Sequence, residues 1–228
     1  MILVVAGRFS AGASDLAARW TAQGRQVALV TCADLSARGW NYLAGSPDRL
    51  AAVAGGQVLP VESISGVLNY LPIIGEADLS HIVAADRAYV ATEMTAFLLA
   101  WLASLPCPVL NRPAPGCLTG PGWSQERWLA TAARLDIAVL PLARATTNGA
   151  ETADEARWPA AVTVTVIGER CFGTTDAALS EQARRLATAG GVALLAAHFG
   201  ADGALRGVTP WPFAVAPALD DAIAAELS

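Results

Sequence analysis

Ile2 to Ala6 is an unbroken apolar run, followed by the loop Gly7-Arg8-Phe9-Ser10-Ala11-Gly12 and a helical stretch. A strand with no polar alternation is buried on both faces, which is what a parallel sheet covered by helices provides. The following segments repeat the scheme. Ser14 or Asp15 is placed to cap a helix to about Gln23, Gly24 ends it, and Gln26 to Val30 reads as a second strand. Val58 to Val61 and Gly66 to Asn69 read as further strands after a Gly55-Gly56 turn. This alternation predicts an α/β chain that opens with a Rossmann-like parallel sheet.

A helix from about Ala84 to Leu105 follows, and then Pro108-Val109-Leu110-Asn111, a strand that opens into RPAPGCLTGPG. Three Pro and three Gly in eleven residues sustain neither a helix nor a central strand. A domain boundary is expected there, with a Rossmann-like domain over 1–118 and a second domain over 119–228. In the second, Ser124 is placed to cap a helix carrying Trp128, Leu129, Ala132 and Leu135, ahead of a strand from Ile137 to Leu140. The polar run near 146–158 reads as a linker. Thr/Val alternation from Val162 to Ile167 predicts a half-buried strand that turns at Gly168 into another. A helix from about Asp176 to Ala189, strands Val192 to His198 and Ala204 to Val208 around an Ala201-Asp202-Gly203 turn, and a helix from Pro217 to Leu227 complete an α+β pattern.

Composition adds one sharp constraint. All 15 basic residues are Arg, and there is no Lys. That excludes chemistry built on an ε-amino group: a phosphate-loop lysine, a Schiff base, a lysine clamp on ATP. Drift toward Arg codons accounts for surface positions, but an always-charged planar fork does not replace a lysine that chemistry requires. A net charge of −5 with scattered Arg leaves no basic footprint for nucleic acid. Four cysteines without C-x-x-C spacing, and two distant histidines, His81 and His198, predict reduced thiols and no metal site. The one stretch near membrane length, Ala88 to Leu105, carries Glu93 and stops at Pro106; a mid-membrane carboxylate would cost about 3 kcal/mol. With no charged region ahead of the first apolar run, a cytoplasmic protein without membrane contact is expected.

Gly7-x-x-x-x-Gly12 has neither the G-x-G-x-x-G spacing nor a G-K-[ST] ending, so it reads first as a βα turn. Arg8 and Ser10 nonetheless follow a parallel strand, on the rim where open α/β sheets take ligands. Asn69, Asn111 and Arg112 follow strands on the same rim, and Arg112 suits a bidentate carboxylate contact. The alternative for each is bonding to local backbone. Glu93, in an apolar helix, needs a partner such as Arg87 or Arg112, or a ligand. Trp123, Trp128, Trp211 and Phe213 read as packing under loops. Cys117, in the Gly/Pro loop, is the thiol to test for reactivity. No Ser-His-Asp or Cys-His arrangement emerges, and no catalytic residue is assigned.

Several of these segments share an order with a known family. Asp86-Arg87, Glu93 in the long helix, Trp101-Leu102, Pro108 to Pro113 as PVLNRP, and a helix leading to the strand before Pro141 resemble the passage from the N-terminal domain into the ATP-grasp fold of RimK-type ligases. VTVTVIGERCFG resembles a strand pair of those ligases that faces substrate. LLAAHFGADGALRGVTPWP resembles their final motif, where an aspartate strand and an E-V-N-x-x-P strand hold magnesium. The resemblance implies a partial ATP-grasp α+β domain after the Rossmann-like one. It also implies losses. Where the ligases have a lobe whose lysines bind nucleotide phosphates, this chain has only Thr147 to Trp158. His198 stands in place of the aspartate, Gly207 of the glutamate and Thr209 of the asparagine.

Acyl-phosphate chemistry needs the metal and a cationic clamp together. The expectation is therefore a non-catalytic ATP-grasp-like protein without a cofactor. It would bind a peptide, a carboxylate ligand or a partner enzyme, in a peptide-maturation setting; a homo-oligomer is a further candidate. One alternative is an ATP-dependent carboxylate-amine ligase in which Arg170 replaces Lys and Asp202 or Glu169 carries the metal. Another is an α/β domain that binds some other small molecule near Arg8, Asn69 and Arg112.

Overall fold

Strand β1 (Ile2–Val5) is buried along its whole length, as its uninterrupted apolar run demands. Helix α1 (Ala11–Ala22) follows, then β2 (Val27–Val30) and the short helix α2 (Cys32–Leu35). The computed structural model describes residues 1–7, 10–46, 49–140, 160–210 and 219–228. Helix α1 starts earlier than the Ser14 or Asp15 cap expected from sequence: Ser10 holds the N-cap position, without a side-chain capping bond. Gly24 follows the helix with φ +80°, the left-handed conformation that makes glycine the natural terminator.

A hairpin of β3 (Ala51–Ala54) and β4 (Gln57–Pro60) turns at Gly55-Gly56, both with positive φ. Its first strand carries no alternation and is not expected from the sequence. Next come β5 (Gly66–Asn69), the helix α3 (Arg87–Ser104) and the two-residue strand β6 (Val109–Leu110). The sheet order is β2-β1-β5-β6, parallel throughout. Leu3, Val5 and Val67 face a core built with Leu98, Trp101 and Leu102 of α3 and with Ala52 and Ala54 of the hairpin. By strand alternation, Ile2, Val4 and Leu68 point to the other face.

A second compact unit spans Trp123–Pro210. Ser124 caps α4 (Gln125–Arg134), its hydroxyl accepting from the Arg127 N–H at 3.4 Å. The strands β7 (Val162–Ile167) and β8 (Arg170–Phe172) form a hairpin at Gly168. Helix α5 (Ala177–Gly190) starts at Asp176, whose carboxylate accepts from the N–H groups of Ala178 and Leu179. Strands β9 (Leu194–Phe199) and β10 (Leu205–Thr209) complete an antiparallel sheet ordered β10-β9-β7-β8. Val164, Val166, Leu195, Ala197 and Phe199 pack on Trp128, Ala132, Ala183 and Leu186 of the two helices. The strand expected from Ile137 to Leu140 is reduced to one parallel bridge, Val139 to Leu205. The linker expected near 146–158, and Trp211 and Phe213, lie outside the described residues.

The last helix, α6 (Asp220–Glu226), packs with the first unit. Arg19 of α1 grips its Asp220 through two bonds, Nε to Oδ2 at 2.7 Å and Nη2 to Oδ1 at 3.1 Å. Leu227 lies so close over Gly66 that a Cβ there would collide with its backbone. The start of this helix expected at Pro217 also lies outside the described residues. No helix among the described residues is long and apolar enough to cross a membrane. The fold is thus α/β: a parallel sheet in the first unit and an antiparallel α+β layer in the second.

Candidate functional site

The carboxyl ends of β1 and β2 open into a cavity of about 420 Å³ lined by Gly7, Ser14, Thr31, Cys32, Asp78 and His81, among others. Its walls are held by short polar bonds. Asp34 accepts from both the backbone N–H (2.9 Å) and the hydroxyl (2.7 Å) of Thr31, closing the start of α2. Asp78 accepts from the N–H of Gly75 at 3.0 Å, and His81 Nε2 lies 2.7 Å from Ser36 Oγ. Burial, with the Asp78 carboxylate nearby, pushes the Cys32 thiol up to about 12, so it stays protonated and unreactive at neutral pH. The T-x-x-D spacing from Thr31 to Asp34 is a legible cap signature; nothing in the sequence announced Asp78 or His81 as neighbours of that cap.

The residues chosen from sequence fare differently. Arg8 lies outside the described residues. Ser10 sits at the start of α1, half-buried. Asn69 is buried, but its amide is spent on backbone: Nδ2 donates to Leu118 O at 2.6 Å and Oδ1 accepts from Leu71 N–H at 2.9 Å. Asn111 is buried at the end of β6. Arg112 donates to the carbonyls of Leu105 and Cys107, tying down the α3–β6 connection. Both side chains thus bond backbone: Arg112 the nearby Leu105 and Cys107, and Asn69 the nearby Leu71 together with the sequence-distant Leu118.

Glu93 corrects a second expectation. It is exposed, not buried, and neither expected partner bonds to it: Arg87 donates to Ile82 O and Ser80 O, while Arg112 is engaged as above. Although α3 is apolar in composition, this position falls on its outer face. Cys117 is buried, its Sγ 3.4 Å from Thr119 Oγ1. All four cysteines are free thiols. Trp123 packs against Trp128 at 4.6 Å between centroids with the rings tilted by 53°, and the Arg127 guanidinium lies 4.3 Å over the Trp123 ring.

In the second unit, β9 presents its odd-numbered residues to the helices and His198 to the opposite face. There His198 Nδ1 lies 3.1 Å from Thr163 Oγ1 of β7 and Nε2 3.0 Å from Thr209 Oγ1 of β10. Gly207 pairs directly with His198 across the strands. Burial lowers the His198 pKa below its ordinary 6.5, so the ring is neutral at pH 7. Arg170 is exposed at the start of β8, its guanidinium 5.6 Å from the Phe172 ring centre. Asp202 accepts from Arg206 at 2.7 Å and from the Ala204 N–H at 3.1 Å, the latter contributing most to holding its carboxyl below the usual range.

No protein-family model and no curated protein matches the sequence. Solved structures do match the fold. The macrocyclase MdnC of Microcystis aeruginosa, bound with precursor peptide MdnA, aligns over 100% of this chain and 99% of its own at TM-score 0.68 and 12% identity. A RiPP-associated ATP-grasp ligase of Chryseobacterium gregarium, in complex with ADP and a leader and core peptide, aligns over 99% and 96% at TM-score 0.63 and 10% identity. A RimK domain ATP-grasp protein of Sphaerobacter thermophilus aligns over 99% and 95% at TM-score 0.50 and 19% identity. The chain has the fold of the RimK-type ATP-grasp proteins.

Within that fold, the β9–β10 pair is the stretch whose sequence resembles the magnesium-holding motif. Magnesium takes hard oxygen ligands in near-octahedral order, carboxylates above all. Here the imidazole nitrogens of His198 meet threonine hydroxyls, Gly207 has no side chain, and Thr209 is one of those hydroxyls. This donor set does not fit a magnesium ion. Asp202, the acid nearest in sequence, is engaged by Arg206. Among the described residues no group of three or more His, Cys, Asp and Glu side chains is placed to hold a metal.

Proposed function

We propose that this chain is a non-catalytic ATP-grasp-like protein that binds a peptide, or an enzyme acting on one, in a peptide-maturation pathway. The observation that carries the reading is the Thr163–His198–Thr209 bridge across β7, β9 and β10, neutral hydrogen-bonding groups at the stretch whose sequence resembles the ligases' magnesium-holding motif. Phosphoryl transfer relies on metal and cations to neutralise the migrating group. A neutral imidazole bonded to two hydroxyls supplies neither. The lack of any Lys points the same way.

The peptide part of the reading draws on the solved neighbours, several of which hold precursor or leader peptides. The alternative of a ligase with Arg170 for Lys has less support, since Asp202, one of its candidate metal acids, is paired with Arg206.

The test is an ADP-release assay with Mg-ATP and synthetic precursor peptides taken from the neighbouring genes, run beside fluorescence anisotropy on the same labelled peptides. A saturable anisotropy change without ADP above the protein-free blank is expected. Peptide-dependent ADP release would overturn the non-catalytic reading. The absence of binding by every such peptide and by the enzymes encoded beside it would overturn the binding role.

A further inference from the structure

A cavity of about 310 Å³ on the first unit is lined by Leu35, Trp40, Glu93, Met94 and Phe97. Two of its walls are aromatic and stand nearly at right angles: the Trp40 and Phe97 rings are 5.9 Å apart at 87°. The corner is rigid. Trp40 donates its indole N–H to Asp34 O at 2.8 Å and packs edge-on against the buried Trp101 ring at 5.1 Å, while Tyr42 braces Phe97 at 6.5 Å and 84°. Leu35, Trp40, Met94 and Phe97 are all partly buried on the main core, so the apolar lining is held from behind.

Glu93 stands one helical turn before Phe97 on α3 and places a carboxylate on the lip of this corner. It is exposed, and no cationic side chain lines the cavity. From Ala88 to Ser104, α3 carries no other charged residue. The combination is specific in its chemistry. Ring faces attract a cation through their quadrupoles, and a carboxylate at the rim adds Coulomb attraction without burying a charge of its own. An anionic or purely aliphatic guest would gain nothing from Glu93.

We propose that this corner is a binding site for a basic side chain, an arginine guanidinium or lysine ammonium, presented by a partner polypeptide. The aliphatic stem would lie against Leu35 and Met94, the cation against Trp40 and Phe97, and Glu93 would select for charge. This deepens the peptide-binding role proposed above and rests on it for the nature of the partner, but the site itself is defined by its own residues.

The probes are four short capped peptides: Ac-Leu-Arg-Leu-amide, its citrulline analogue, the Lys peptide and its norleucine analogue. Binding is read by ¹H–¹⁵N shifts on the whole chain, with the Trp40 indole signal assigned through Trp40→Phe. The Arg and Lys peptides are expected to shift the Trp40 indole and the Phe97 and Met94 amides, with affinities about tenfold above those of their neutral analogues. In Glu93→Gln, an exposed substitution that leaves the fold intact, that preference is expected to collapse to about twofold or less. Equal affinity for charged and neutral peptides, shifts confined to other surfaces, or no shift at millimolar peptide would each overturn the proposal. Failure of the broader reading looks different. A saturable response to Mg-ATP would remove the non-catalytic role and leave this site standing, whereas peptide shifts mapping elsewhere would remove this site and leave the peptide-binding role.

Discussion

The Arg19–Asp220 pair fixes the C-terminal helix to the first unit, and its removal gives a calculable loss. Asp220 is 1% exposed and receives two charge-assisted bonds, while the Arg19 side chain is 35% exposed. A fully buried pair stripped of one partner costs about 3–5 kcal/mol, and a fully exposed one about 0–1 kcal/mol. With one partner buried and the other a third exposed, screening reduces the penalty, because the orphaned guanidinium can turn to water. Asp220→Asn, which keeps the volume but not the charge, is therefore expected to cost about 2 kcal/mol. At a urea slope of about 2 kcal/mol/M, the midpoint should fall by about 1 M. Amide exchange of α1 and α6 as a function of urea reads this unit specifically. In an Arg19→Met background the same substitution should cost much less, since the interaction it removes is already gone. A midpoint that moves by less than about 0.2 M, or an equal loss in both backgrounds, would show that this pair does not hold α6 in place.

Three further outcomes follow from single contacts. Gly190→Ala would drive a Cβ into the Trp128 indole and should destabilise the second unit by about 2 kcal/mol, read as a lower melting temperature that Trp128→Leu partly restores. Asn69→Ala strips the buried Leu118 carbonyl and Leu71 N–H of their amide partner and should cost about 2–3 kcal/mol in urea unfolding, whereas exposed Arg38→Ala should cost less than about 0.5 kcal/mol. His198 has a folded-state pKa below its ordinary 6.5, so below that pH the unfolded chain binds the proton that the folded chain resists, and stability present at neutral pH is lost as the pH falls. Urea midpoints at about pH 7.5 and about pH 5.5 should differ in the wild type and converge in His198→Asn.

Local signals in the sequence translated well where one residue decides one event. The apolar run Ile2 to Ala6 became a fully buried strand, Ser124 became a cap, Gly24 and Gly168 took the positive φ that their turns need, and the Thr/Val alternation became β7, although Thr165 and Ile167 are buried along with the helix-facing Val164 and Val166, so the strand is more than half-buried. The α/β class and the ATP-grasp likeness were legible in segment order. Side-chain partnership was not. Asn69 and Arg112 look like rim ligands because they follow strands, but Asn69 donates to the Leu118 carbonyl in the loop after β6 and Arg112 to the Leu105 and Cys107 carbonyls before it. Glu93 looks buried because its helix is apolar in composition, yet helical periodicity alone does not say which face meets the sheet. The strand β3 is made of Ala and Val without alternation, so only its pairing with β4 defines it.

The sequence resemblance implies that His198, Gly207 and Thr209 stand where the ligase motif has an aspartate, a glutamate and an asparagine, but how these residues meet needed the structure. The three share one strand pair, and the histidine is bonded on both sides. That arrangement is what supports the proposal that this chain performs no nucleotide chemistry. The most direct measurement is a calorimetric titration of the whole chain with ATP in excess magnesium. A chain without nucleotide chemistry gives no heat beyond dilution; a saturable isotherm with a micromolar dissociation constant would overturn the non-catalytic role.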